Sequence, residues 1–119
     1  MFHAAATLGF LLVAAGWMLR YRLGVHVLCM GTAGLTDYAI LAALLLLKGP
    51  AIEQEAAHPG PLLLVHIAAS TLTLLAYPVL ATLGIGYVKG KASWLPWHRR
   101  LGKAFLVVKA VNYATSWGV

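Results

Sequence analysis

Acidic side chains are scarce in this chain: only three of its 119 residues are Asp or Glu, against nine Lys or Arg, and charged residues total 10%. A water-soluble domain usually carries about 25% charged residues, so a soluble globular domain is not expected. Cysteine is almost absent, and the single Cys29 excludes a disulfide or a cysteine-based metal cluster within one chain. The motifs G-x-S-x-G, P-loop and H-E-x-x-H are missing as well, which favours a protein without independent catalytic activity.

Hydrophobic residues, by contrast, make up 61% of the chain, and they are concentrated in four long stretches. Each stretch is near or above the ~20 residues that a helix needs to cross ~30 Å of hydrocarbon. The sequence therefore predicts one all-α domain, an integral membrane four-helix bundle with up-down-up-down topology. The predicted helices cover residues 2–19, 24–47, 61–88 and 98–118.

Basic residues are distributed unequally between the two ends of this predicted bundle. One end carries Lys48 beside Glu53 and Glu55, whereas the other end is strongly basic. Its basic residues are Arg20, Arg22, Lys89, Lys91, Arg99, Arg100 and Lys103. Positive charge marks the cytoplasmic side, so we expect a multi-pass protein of the bacterial inner membrane with both termini on the outer side. This rule also explains the net charge of +6 without a nucleic-acid partner, and the basic rim predicts contact with membrane lipid.

Polar residues recur at helical spacing on three of the four hydrophobic stretches, so each set forms one stripe on one helix face. Lipid does not solvate such stripes, and we expect them to meet inside the bundle. The stripes are His26, Met30, Ala33 and Asp37; His66, Ser70, Thr73 and Tyr77; and His98, Gly102, Phe105, Lys109, Asn112 and Ser116.

Four of these residues fall at one depth when position is converted to height at ~1.5 Å per residue. We predict that Asp37 and Lys109 form a buried ion pair with His66 and Asn112 as hydrogen-bond partners. Such a cluster fits two interpretations equally well. A buried pair can fix helix register, and ionisable groups inside a membrane often belong to a proton-transfer or ligand site.

A second group of residues lies at the cytoplasmic end, where His26 begins one helix and His98 begins another. Imidazoles from two facing helices can ligate haem iron axially, and Met30 is a possible alternative ligand. Arg99 and Arg100 could pair with the haem propionates. For His98 the alternative interpretation, a histidine near lipid headgroups, has equal weight, and copper held by His26 and Met30 ranks below haem.

These residues, together with the segments WHRRLGK (97–103) and KAVNYATS (109–116), carry a resemblance. The chain resembles an uncharacterised family of small bacterial four-helix membrane proteins related to cytochrome oxidase assembly proteins and small b-type cytochromes. In that pattern an arginine often stands where this chain has Lys109, so the charge is kept. The resemblance implies a role around respiratory or photosynthetic electron transfer. It extends to His26, Asp37, His66, His98, Lys109, Asn112 and Tyr113.

Three functional hypotheses follow. The first is a small electron-transfer subunit that binds b-type haem between helices 2 and 4, with His26 and His98 as iron ligands. The second is a cofactor-free accessory or assembly subunit of a larger respiratory or photosynthetic membrane complex. The third is a homo-oligomer that conducts protons or ions past Asp37 and Lys109.

Overall fold

Four α-helices and one short 3-10 helix account for most of the computed structural model, which describes residues 2–119, and no strand occurs among those residues. The predicted all-α class with four helices is confirmed. The helices are α1 (His3–Met18), α2 (Leu23–Ala57), α3 (Pro61–Val88) and α4 (Leu95–Ser116), and the 3-10 helix is Ala92–Trp94.

Helix α2 departs most from the predicted bounds, because helical structure continues through the segment expected to be a loop. Lys48 has φ −131° and ψ 19°, so the helix is kinked there and a second helical segment runs over residues 49–57. Pro50 lies in the first turn of that segment, where a missing backbone N–H costs nothing. Helix α4 likewise begins three residues earlier than expected, since Pro96 occupies its first turn.

The four helices pack as two hairpins, α1 with α2 and α3 with α4, and packing within each hairpin is much more extensive than packing between them. Contacts between the hairpins nevertheless fix their arrangement. Thr7 near the start of α1 bonds Tyr113 near the end of α4 at 2.8 Å, and Tyr38 of α2 contacts Leu74 of α3. Neighbouring helices are therefore antiparallel, in a body that measures 47 × 23 × 22 Å.

The connection between α3 and α4 is held tightly. Gly90 has φ +104°, a left-handed conformation that ends a helix in the Schellman motif, and the N–H of Lys91 donates to the carbonyl of Gly86 at 3.0 Å. The ring of Trp94 lies so close over Gly86 that a Cβ at this position would collide with it. This packing places the start of α4, and with it His98, against the end of α3.

Pro78 interrupts the hydrogen bonding of α3, and α2 supplies the missing donor. A proline at this position cannot donate to the carbonyl of Leu74, four residues earlier. The hydroxyl of Tyr38 donates to that carbonyl instead, at 2.5 Å. A backbone group that would otherwise be unsatisfied thereby ties the two hairpins together.

Few large side chains are buried in this bundle, and many apolar ones are exposed. The buried core consists of Val13, Ala33 and Phe105, with Met30 and Tyr77 among the partly buried residues packed against it. Helices α2 and α3 are long and apolar enough to cross a membrane, while α1 is apolar but has only 16 residues.

Candidate functional site

The interior of the bundle contains an ion pair between its two hairpins. Lys109 Nζ of α4 lies 2.5 Å from Asp37 Oδ2 of α2, and the exposed fractions of the two side chains are 3% and 10%. The hydroxyl of Tyr77 donates to the same carboxylate oxygen at 2.7 Å. Asp37, Lys109 and Tyr77 form what we call the central triad, in which the ammonium and the hydroxyl both donate to one carboxylate oxygen, Asp37 Oδ2.

Two glycines allow neighbouring groups to pack closely around this triad. A Cβ at Gly9 of α1 would lie 3.3 Å from Asp37 Oδ1 and 3.9 Å from Lys109 Nζ, so α1 passes directly over the ion pair. A Cβ at Gly34 would lie 3.2 Å from the ring of Tyr77. Close packing at both positions excludes competing polar molecules and keeps the local dielectric low, which strengthens the attraction between the charges.

His66 and Asn112 belong to a separate chain of hydrogen bonds, which lies near the start of α3 and the end of α4. Ser70 Oγ donates to Asn112 Oδ1 at 2.7 Å and lies 3.5 Å from His66 Nε2. Thr115 Oγ1 lies 2.8 Å from His66 Nδ1. Within residues 2–119 no hydrogen bond joins this chain to the central triad, which differs from the expected arrangement around Asp37.

The physical reason for the difference is local. Ser70 lies one turn from His66 on the same face of α3, so it is nearer to the imidazole than Asp37 is. Tyr77, further along that face, occupies the position beside the carboxylate. Tyr77 was part of the polar stripe in the sequence, yet its role as the partner of Asp37 depends on how α2 and α3 are rotated about their axes.

The two histidines at the basic end of the bundle lie close together, although they belong to different hairpins. The ring centroids of His26 and His98 are 6.2 Å apart and the planes are inclined at 73°. His26 Nδ1 lies 2.8 Å from the carbonyl oxygen of Gly16, and His98 Nδ1 lies 3.0 Å from that of Leu80. Each histidine is therefore held by the helix preceding it in its own hairpin.

These bonds determine the tautomer of both rings. A carbonyl oxygen only accepts, so each Nδ1 carries the proton and donates it, which leaves the lone pair of a neutral imidazole on Nε2. Among the described residues no strong hydrogen bond engages either Nε2 atom. Metal-ligating histidines typically use this arrangement, in which a carbonyl bonded to one nitrogen orients the ring and raises the basicity of the other.

Gly84 allows His98 to sit against α3, since a Cβ there would lie 3.2 Å from His98 Cε1. Gly102, one turn beyond His98 on α4, has no atom within 4 Å of the position its Cβ would take. The histidine pair is thus supported on one side and has open space next to it on another.

The remaining residues of the expected site are placed differently. Met30 packs against the buried core, and its side chain lies beside Gly16 rather than standing free. Arg99 and Arg100 are exposed, and the guanidinium of Arg100 lies 5.7 Å from the ring centroid of Trp97. Both arginines follow His98 directly in the chain.

The donor set limits which metal group the site can hold. No cluster of three or more His, Cys, Asp or Glu side chains with metal-binding geometry occurs in the described part of the chain. A bare metal ion would therefore find only two imidazoles. A haem needs no more than two, since the porphyrin supplies the other ligands and the protein supplies the axial ones. The ring centroids of His26 and His98 are 6.2 Å apart, so these two imidazoles are the residues of the described chain that would hold such a group.

Comparison of the chain with known protein families, curated proteins and solved structures finds no match. The resemblance seen in the sequence stays a prediction.

Proposed function

We propose that this protein is a small integral membrane subunit of an electron-transfer system that binds b-type haem between α2 and α4. The observation that carries the proposal is the meeting of His26 and His98, each with Nδ1 bonded to a backbone carbonyl. A bound haem would supply a one-electron carrier at the basic end of the bundle. The proposal has two parts, membrane insertion and haem binding, and each has its own support and test.

Membrane insertion is supported by the outer surface of the helices. Leu28, Leu35 and Leu46 of α2 are 70%, 74% and 85% exposed. Water-soluble monomers rarely expose large contiguous apolar patches, whereas lipid-facing helices do so along their length. The excess of Lys and Arg at one end supports a cytoplasmic location for that end under the positive-inside rule. The proposed arrangement therefore has both termini outside, in the inner membrane of a bacterium.

Insertion and orientation are tested together by cysteine labelling in intact cells. The natural cysteine is removed as Cys29→Ala, and single cysteines are introduced as Glu55→Cys and Lys91→Cys at opposite ends. A membrane-impermeant maleimide is expected to label residue 55 without permeabilisation and residue 91 only after it. Extraction of the protein by alkaline carbonate, or the reverse labelling pattern, would contradict this part of the proposal.

In the haem-binding part, the residues of the chain have separate tasks. His26 and His98 would ligate the iron through Nε2, while the carbonyls of Gly16 and Leu80 hold the rings in place and favour the lone pair on that nitrogen. Arg99 and Arg100, at the surface beside His98, would pair with the propionates. Met30 is the alternative ligand, although packing against the core holds its side chain elsewhere.

The test is the absorption spectrum of the protein produced with haem available and purified in detergent. We expect reduced-minus-oxidised bands of b type in the wild type and their loss in His26→Ala and in His98→Ala. His58→Ala, which changes an exposed histidine at the other end, is the matched control and should keep the bands. A colourless wild-type protein, or equal loss in the control, would refute haem binding.

The second candidate is the cofactor-free accessory or assembly subunit of a larger membrane complex. It is favoured by one observation: within residues 2–119, no buried side-chain N or O atom lacks a hydrogen-bond partner, as expected of a purely structural interior. This alternative predicts a colourless chain that co-purifies with a membrane complex. The same closed interior gives no support to the third hypothesis, a proton- or ion-conducting oligomer, whose test is ion flux in liposomes with Asp37→Asn.

A further inference from the structure

A groove of about 320 Å³ runs between α1 and α4, at one of the two places where the hairpins meet. Its walls are entirely apolar side chains, and two of them are alanines that leave room between the helices. The lining residues are Phe10, Val13, Ala14, Trp17 and Met18 of α1, with Leu106 and Ala110 of α4.

Two basic residues stand at the same end of this groove, one on each wall. Arg20 follows Trp17 by three residues; its guanidinium lies 4.4 Å from the indole centroid, and Nη1 donates to the carbonyl of Trp17 at 3.0 Å. Lys103 precedes Leu106 by three residues on α4, which places it on the same helix face. Since α1 and α4 are antiparallel, both residues extend the groove towards the basic end of the bundle.

No carboxylate neutralises this pair of cations. The one ion pair within residues 2–119 joins Asp37 to Lys109, and the remaining acidic residues, Glu53 and Glu55, belong to the far end of α2. Arg20 and Lys103 are both exposed. The groove therefore combines a long apolar channel with unpaired positive charge at one mouth, the pattern that complements an acyl chain joined to a negatively charged headgroup.

We propose that the α1–α4 groove binds one anionic phospholipid, with an acyl chain between the two helices and the phosphate between Arg20 and Lys103. The proposal rests on the membrane insertion proposed above but not on haem binding. It goes beyond general attraction of the basic rim to lipid, because it specifies one site with a defined number of bound molecules.

Native mass spectrometry of the detergent-solubilised protein tests it, with phosphatidylglycerol and phosphatidylcholine offered at equal concentration. The wild type is expected to retain one phosphatidylglycerol in preference to phosphatidylcholine. A basic residue near the surface contributes about fivefold to attraction of an anionic lipid, so Arg20→Gln/Lys103→Gln should lower the preference roughly 25-fold. The matched control Lys89→Gln/Lys91→Gln removes the same charge from the same end, away from the groove, and should keep most of the preference.

A second double variant tests the apolar part of the site without changing charge. Ala14→Leu/Ala110→Leu fills the groove and should reduce the retained lipid of either kind, while circular dichroism confirms that the helices persist. Equal retention of the two lipids by the wild type, or equal loss in both charge-removal variants, would overturn the proposal. Because lipid is read by mass and haem by absorbance, failure of this site and failure of the haem proposal are distinguishable.

Discussion

At the centre of the bundle, Asp37 and Lys109 are almost fully buried and bonded to each other, and the Tyr77 hydroxyl donates to Asp37. At the basic end, His26 and His98 are half-buried, and each uses one ring nitrogen while the other nitrogen keeps its lone pair. Each pair has one member on each hairpin, but only the ion pair is bonded across the interior. They differ in which atoms remain free to bind a ligand once the hydrogen bonds within the protein have formed.

This difference separates structural polar groups from groups suited to bind a ligand. The strongest charges in the interior are already neutralised by one another, and such a pair acts mainly by specifying how the helices fit together. The histidines use Nδ1 for a bond within the protein, and in the neutral ring each has a lone pair on Nε2, on opposite hairpins. Variants in the two regions should therefore differ in whether they lower stability or remove the cofactor.

The largest effect is expected from breaking the ion pair. Lys109→Met leaves the carboxylate of Asp37 buried without its partner and should lower the free energy of unfolding by roughly 3–5 kcal/mol. Unfolding in mixed micelles, followed by circular dichroism, measures the loss. The double variant Asp37→Leu/Lys109→Met removes both charges and should recover most of the lost free energy of unfolding. If Lys109→Met were as stable as the wild type, the ion pair would not be fixing how the helices pack.

A smaller loss is expected from Tyr77→Phe. This change removes a hydrogen bond to a charged acceptor, worth about 1.5–3 kcal/mol, and leaves the ring packed against Gly34. The same unfolding measurement applies. Tyr87→Phe, at an exposed position, serves as the control; equal losses in the two variants would remove Tyr77 from the central triad.

Ser70→Ala should cost less again. It breaks the link between His66 and Asn112, a neutral hydrogen-bond chain in which each bond contributes about 0.5–1.5 kcal/mol. Ser93→Ala, in the exposed 3-10 helix, provides the comparison. A loss for Ser70→Ala as large as that of Lys109→Met would mean that this chain and the central triad act as one unit.

The smallest effect on stability is expected at the histidine pair. In haem-free protein, His98→Ala should change the free energy of unfolding by less than about 1 kcal/mol, because it removes one hydrogen bond from a half-buried side chain. The same substitution should abolish the haem spectrum. His66→Ala should do the opposite, with a measurable loss of stability and unchanged haem absorption bands. The same outcome for both histidines would show that structural and ligand-binding polar groups are not separated in this bundle.

The sequence predicted the parts of this arrangement that depend on periodicity along one helix. Helical spacing placed Asp37 and Lys109 on faces that meet, and it placed His26 and His98 near the same end. Contacts that depend on the rotation of one helix against another were not predictable in this way. Tyr77 pairs with Asp37 because Gly34 lets its ring approach α2, and no pattern within α3 specifies that approach.

The kink in α2 shows a second limit. Gly49 and Pro50 lie outside the predicted helices 24–47 and 61–88, yet proline is equally favourable in the first turn of a helix. A Gly-Pro pair that ends one helix can be followed either by a loop or by a second helix. Here residues 51–57 favour a second helix. Pro96 at the start of α4 illustrates the same ambiguity, since it begins a helix that the sequence placed three residues later.

Under the proposed membrane insertion, the division of the bundle into two hairpins has a consequence for assembly. Asp37 belongs to the first hairpin and Lys109 to the second, so each half would enter the bilayer with one uncompensated ionisable group, which is costly in lipid. Association of the halves removes both costs in one step. The opposite charges thereby give the association its specificity. They favour pairing of the first hairpin with the second and disfavour pairing of two identical hairpins.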